Sequence, residues 1–182
     1  QGMIVVEVGC FNGATTINYI DIVKRNKGHV YVIDCFEGTP VPEHMKDHPD
    51  ILGDGTMACS YDPNTYEKFV KNFDYYKDYI TIIKGYSQDC IKNLPDNCDI
   101  IFLDADHTYQ SIKRDIDLSL PKVKKGGIIS GHDCEHFNEV NTYSEIDLKT
   151  DWVRNHHPGV SQAVYEKFGI TNLYGVVWWK KV

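Results

Sequence analysis

No run of about 18 apolar residues occurs in these 182 positions, and no short apolar segment follows a basic N-terminal stretch. The chain is therefore expected neither to span a membrane nor to carry an export signal. An excess of basic charge is also missing. Lys and Arg number 19 against 26 Asp and Glu, and the formal net charge of -7 opposes phosphate-backbone binding, so nucleic acid is not an expected partner. The six cysteines contain no CxxC pair, which removes both a redox couple and a cysteine-rich zinc site. Five of them (Cys10, Cys35, Cys90, Cys98 and Cys134) sit beside predicted strand ends or helices rather than in short closed loops, so a reducing, cytoplasmic setting is expected. Only seven prolines, no low-complexity linker and no internal repeat mark a domain boundary, and the length suits one domain, 1–182, with a sizeable core. The first strand begins at Met3 with nothing before it, so an N-terminal helix or substrate-covering segment is expected beyond this stretch.

What is present is an alternation of short apolar runs with helical patterns. Runs at 3–8, 30–33, 80–83, 99–103, 128–130 and 175–180 read as strands. Helices are predicted at 13–24, 63–76, 88–93, 109–120 and 160–168, the fourth carrying Ile112, Ile116 and Leu120 as a buried stripe. This order predicts an α/β fold, a Rossmann-like doubly wound, mostly parallel sheet of six or seven strands with helices on both faces. Two polar stretches, 36–61 and 134–149, are long enough to be substrate or lid loops.

The strand endings carry the chemistry. Ile100–Leu103 stops at Asp104-Ala105-Asp106-His107, and Ile128–Ser130 stops at Gly131-His132-Asp133. In parallel strands of one sheet, three carboxylates and two imidazoles would gather at the carboxyl edge, where open α/β sheets bind ligands. At the first strand, Gly9 can make a tight turn and Gly13 can let the chain approach a ligand. The two glycines lack the third of a dinucleotide fingerprint, and no Gly-Lys-Ser/Thr follows as in a phosphate loop. Asp34 ends the second strand, 25 residues after Gly9, where a carboxylate can accept both hydroxyls of an adenosine ribose. Glu7, two residues before the turn, favours a cationic ligand over a phosphate, and S-adenosylmethionine fits that pair; alternatively Glu7 is a buried acceptor for backbone N–H groups of the glycine loop. Ser87 either reaches an adenine ring or caps the helix that follows.

With these motifs in order, the chain resembles the class I S-adenosylmethionine-dependent methyltransferases. Glu7-Val8-Gly9-Cys10-Phe11-Asn12-Gly13 matches their first motif and Asp34 their second-strand acid. More narrowly it is similar to the macrocin and mycinamicin sugar O-methyltransferases and the related cephalosporin-biosynthesis proteins. That likeness rests on Phe102–Tyr109, Gly126–Asp133 and Pro158–Val164. The resemblance implies cofactor contacts from Glu7, Gly9, Cys10, Phe11, Gly13, Thr15, Asp34, Cys35, Phe36, Ser87 and Asp104. It further implies a divalent cation, Mg2+ or another, on Asp104 and Asp133, and a catalytic base at His107. Cys134 stands where catechol-type relatives carry asparagine and is the nominal third ligand; Asp106, His132 or a residue of 134–149 are its alternatives. Magnesium's preference for hard oxygen donors agrees with two aspartates.

The reaction so implied is O-methylation of a small polar hydroxylated acceptor, such as a sugar, with S-adenosylhomocysteine as product. His44, His48, His136 and Tyr143 in the two loops suit such an acceptor. Asp106 reads equally as a helix cap, and His156 and His157 as a solvated turn before Pro158. Three other classes share parts of the pattern: a nicotinamide oxidoreductase, a metal-dependent hydrolase, and a cofactor-binding domain without turnover. Trp178 and Trp179 alternate on the last strand, so one should pack inward, and an exposed partner or an uncovered sheet edge would motivate a homodimer.

Overall fold

A computed structural model of the chain describes residues 2–38, 62–153 and 156–182. Most of the expected loop 36–61, with His44 and His48, lies outside the described residues. The apolar runs form the strands β1 (Ile4–Val8), β2 (His29–Asp34), β3 (Ile80–Lys84), β4 (Cys98–Leu103) and β5 (Val123–Gly131). Two more, β6 (Asn172–Tyr174) and β7 (Val177–Lys181), complete one seven-stranded sheet in the order β3-β2-β1-β4-β5-β7-β6. The first five are parallel, while β7 runs antiparallel to both β5 and β6. The expected doubly wound sheet is therefore present, with β6 as a strand that its polar, exposed sequence did not announce.

Helices cover both faces: α1 (Thr16–Arg25) and α2 (Thr65–Asn72) on one, α4 (Tyr109–Ser119) and α6 (Pro158–Phe168) on the other; the short α3 (Ser87–Cys90) and α5 (Glu145–Lys149) complete the set. All five residues of β1 are buried, as a strand covered on both faces requires. Its side chains alternate between two cores. Val6 and Val8 join Ile112, Ile116, Val160, Val164 and Trp178, whereas Val5 joins Ile20, Val23, Val32, Phe69 and Phe73. Ile112 and Ile116 thus bury the predicted α4 stripe.

Several boundaries differ from the sequence expectation. The first helix starts at Thr16, not at 13, and the second is shorter, Asp74–Tyr76 being a separate 3-10 turn. β5 absorbs Lys125–Gly127, whose two glycines read from sequence as a turn into the strand, because five of its residues span what two residues of β4 span; Gly126, at φ 81°, takes up the irregularity. The loop 134–149 holds α5, started by a capping box in which Ser144 and Asp147 satisfy each other's backbone N–H groups.

Register then sets up the edge. Val8 pairs with both Ile33 and Leu103, and Leu103 with Gly131, so β2, β1, β4 and β5 end level. The strand order reverses beside β1, which makes this the crevice of the sheet. Asp34 and the end of β5 stand three strand spacings apart, about 14 Å.

Candidate functional site

The turn after β1 is shaped by the strands beside it. Gly9 N–H donates to the Ile33 carbonyl at 2.8 Å, and Asp104 N–H donates to the Val8 carbonyl at 2.7 Å. A Cβ on Gly9, at φ 88°, would stand 2.0 Å from the Asp104 carbonyl oxygen, so no side chain fits where the first loop crosses the end of β4. At Gly13 the missing Cβ would meet the Phe73 ring at 2.3 Å, so α2's flank by itself requires glycine there. Non-glycine residues with positive φ follow three strand ends: Phe11 at 44°, Phe36 at 57° and Asp133 at 58°. Such backbone is costly and persists where neighbours over-determine it, often at ligand sites.

Asp34 fixes two of those bends. One carboxylate oxygen accepts from Phe11 N–H at 2.7 Å and the other from Phe36 N–H at 2.6 Å. An ionised carboxylate has about four lone-pair positions, so both oxygens can still accept a hydroxyl each. The side chains of Cys10 and Phe36 are buried, Phe36 against Tyr66 and Phe69, and Cys10's thiol is pushed up by that burial. Only their main chain is left for a ligand. Thr15 is exposed beside the loop, Cys35 is half-buried, and Asn12 at the loop tip is exposed.

Glu7 is 1% exposed and lies on α1's side of β1. Its carboxylate accepts from Thr16 Oγ1 at 2.6 Å and from the Tyr19 hydroxyl. The acceptor role expected of a buried Glu7 is therefore filled by helix hydroxyls, not by glycine-loop N–H groups. Burial pushes its carboxyl up to about 7 despite those two bonds, with the Asp104 and Asp34 charges adding to the rise. Ser87 neither caps α3, whose cap position is Tyr86, nor is free: its hydroxyl donates to Asp115 at 2.9 Å. Buried Asp115 is itself raised to about 6 by desolvation.

At the other half of the edge the expected residues converge. His107 Nε2 lies 3.0 Å from Asp133 Oδ2 and 3.4 Å from Asp104 Oδ1, and Nδ1 lies 2.7 Å from Asp151 Oδ1. His132 Nδ1 is 2.9 Å from the second oxygen of Asp133. Burial alone would lower the His107 pKa, but the hydrogen bonds to Asp104, Asp133 and Asp151 outweigh it and hold the ring well above its ordinary value. Burial would likewise raise Asp133, yet His107 and His132 keep it well below the usual carboxylate range. In this arrangement His107 is lodged among three acidic side chains that favour its protonated form.

Asp104, His132 and Asp133 bring one ligand atom each to within 4.8 Å of one another, a set of two hard oxygens and an imidazole that fits a divalent cation. Cys134 is not part of it. The side chain is fully buried in the core, its sulfur lies 4.0 Å from Ser161 Oγ, and burial raises the thiol to about 12. Of the expected alternatives, His132 lies with Asp104 and Asp133, and Glu135, from 134–149, groups with Asp133 and His157. Asp106 instead accepts from Thr108 N–H at 2.9 Å and Ser111 Oγ at 3.0 Å, the helix-start role.

Three participants were not foreseen. Asp151 is one. His157, expected in a solvated turn, is mostly buried, sets its ring 4.8 Å from that of His107 at a tilt of 56°, and is gripped by Glu135, which accepts from its N–H at 3.1 Å and faces Nδ1 at 2.8 Å. His156 is also buried, 6% exposed. The only hint in the sequence was the density of His and acidic residues from 132 to 157.

Among the described residues no helix is long and apolar enough to cross a membrane. A mimivirus protein from Acanthamoeba polyphaga mimivirus, R132, is 28% identical over 112 residues, 58% of this chain and 51% of that protein. A Klebsiella pneumoniae protein provisionally named an O-methyltransferase superposes with a TM-score of 0.59 at 16% identity, over 93% of this chain and 62% of that one. The SAH-bound methyltransferase PaMTH1 of Podospora anserina gives 0.56 at 17%, over 90% and 59%. At these identities the structures show a shared fold. The chain spans about half the length of the viral relative and about three fifths of the two structures. The model of a methyltransferase domain matches residues 6–134, well over half of the chain, and the chain belongs to that methyltransferase-domain family.

Proposed function

We propose that the chain is an S-adenosylmethionine-dependent O-methyltransferase acting on a hydroxyl of a small polar acceptor, with a divalent cation on Asp104, Asp133 and His132 and with His107 as proton acceptor. A sugar or glycoside, as in the macrocin and mycinamicin group, suits the polar rim. The observation that carries this reading is contiguity: Gly9 touches the Asp104 backbone, so the loop suited to an adenosine cofactor and the acids suited to an acceptor share one edge.

When bound, S-adenosylmethionine supplies an electrophilic methyl group and a divalent cation acidifies an acceptor hydroxyl. Asp34 would hold the ribose with the lone pairs that Phe11 and Phe36 leave open. Asp104 and Asp133 would hold the cation, and His107, with Nε2 turned toward them, would be placed to take the proton of an acceptor hydroxyl. The remaining contribution is orientation by a rigid edge.

A second reading, cofactor binding without turnover, is favoured by the same clamp of three carboxylates on His107. Methyl-labelled S-adenosylmethionine, magnesium and a panel of small sugars and vicinal diols separate the two. The proposal expects label in an acceptor, lost on adding chelator and in His107→Ala. Tight S-adenosylhomocysteine binding with no labelled acceptor supports the second reading, and absence of binding by calorimetry sinks both.

A further inference from the structure

We infer that Asp151 is a positioning residue for His107, fixing which ring nitrogen faces the acceptor; this rests on the reading of His107 as proton acceptor. Two distances define the arrangement: Nδ1 is 2.7 Å from Asp151 Oδ1, and Nε2 points the opposite way, 3.0 Å from Asp133 Oδ2. A carboxylate on Nδ1 holds that nitrogen as a donor and so turns Nε2 toward Asp104 and Asp133.

The surroundings are built to hold that ring. Asp151's side chain is 28% exposed, and the ion pair it makes among the described residues is with His107. His157 lies against the ring at 4.8 Å and is itself fixed by both oxygens of Glu135. From behind, α6 clamps the backbone: a Cβ on Gly159 would stand 2.3 Å from the His107 carbonyl oxygen and 2.4 Å from Tyr109 N. With the main chain pinned by Gly159, the freedom left to His107 is rotation of its ring, which the Asp151 bond removes. The segment after α5 and the Pro158-Gly159 start of α6 thereby acquire a shared role.

The test needs no acceptor. Histidine-labelled (15N) full chain is studied by long-range 1H–15N spectra with S-adenosylhomocysteine, in wild type, Asp151→Ala and Asp151→Glu. The expected result is a slowly exchanging Nδ1 proton on His107 that is lost in Asp151→Ala and recovered in Asp151→Glu, while His157 resonances and S-adenosylhomocysteine affinity stay within twofold. An unchanged His107 signal in Asp151→Ala overturns the inference. So does a change that strikes His157 and ligand affinity equally, which marks a general structural role. If Asp151→Ala does not fold, Asp151→Asn, of the same shape without the charge, carries the same expectation. Methyl transfer by His107→Ala at the full rate would remove the base reading instead, whatever the spectra say of Asp151.

Discussion

Glu7 is an ionisable group enclosed at 1% exposure, and its titration should be visible in the stability of the whole chain. Desolvation raises its carboxyl from the ordinary 4.5 to about 7, against the pull of Thr16 and Tyr19. The sign follows directly. Below pH 4.5 the group is protonated in both folded and unfolded chains. Between 4.5 and 7 the unfolded chain ionises while the folded one does not, so the stabilisation is lost as pH rises and is gone above 7. A shift of this size corresponds to about 3 kcal/mol. Glu7→Gln keeps the shape and cannot ionise, and the Thr16 and Tyr19 hydroxyls can still pair with the amide. Urea unfolding of both proteins from pH 4.5 to 8 isolates Glu7, because all other groups cancel in the difference. The variant should gain on wild type by about 3 kcal/mol across that range, roughly 1.5 M in urea midpoint for a slope near 2 kcal/mol/M. A difference that stays flat with pH would refute the reasoning. A cation bound beside Glu7 favours its ionised form, so S-adenosylmethionine should gain affinity from pH 6 to 8 relative to S-adenosylhomocysteine.

Asp34→Ala should weaken S-adenosylhomocysteine binding by at least about tenfold, since hydrogen bonds to a charged group contribute about 1.5–3 kcal/mol each; an unchanged Kd in calorimetry removes its ribose role. Gly159→Ala drives a methyl group into the His107 carbonyl and should lower stability by about 1–3 kcal/mol, read as a fall in Tm. A Tm equal to wild type would show that α6 yields at that contact. Cys134→Ser should leave magnesium affinity unchanged, because the sulfur faces Ser161 and the core; a tenfold loss of metal affinity would return Cys134 to the cation site.

The sheet was legible because its strands are buried on both faces and read as unbroken apolar runs, as in Val5-Val6 and Ile100–Leu103. β6 was not, because Asn172–Tyr174 is an exposed edge with no apolar run. α5 could have been read from Ser144 and Asp147, whose capping box stands in the sequence, although five residues give no helical period. At the site, Asp34, Asp104 and Asp133 were visible because each ends a strand or follows one within two residues, where position alone sets direction. Gly13 shows the limit of that approach: the neighbour that excludes a side chain there is Phe73, which only the fold brings beside it. Asp151 and His157 lie 44 and 50 residues beyond His107 and reach it through a loop whose return path has no local signal. Cys134 was misplaced for a related reason: the left-handed turn at Asp133 sends the next side chain into the core.

The claim at the centre of this account is that one sheet edge holds a methyl donor beside β1 and β2 and a hydroxyl acceptor beside β4 and β5. A crystal structure with S-adenosylhomocysteine and manganese, located by its anomalous signal, measures this directly. The account predicts ribose hydroxyls on Asp34, the metal between Asp104 and Asp133, and His107 Nε2 drawn away from Asp133 while Nδ1 stays on Asp151. A nucleoside bound away from Asp34, or manganese bound away from Asp104 and Asp133, would contradict it.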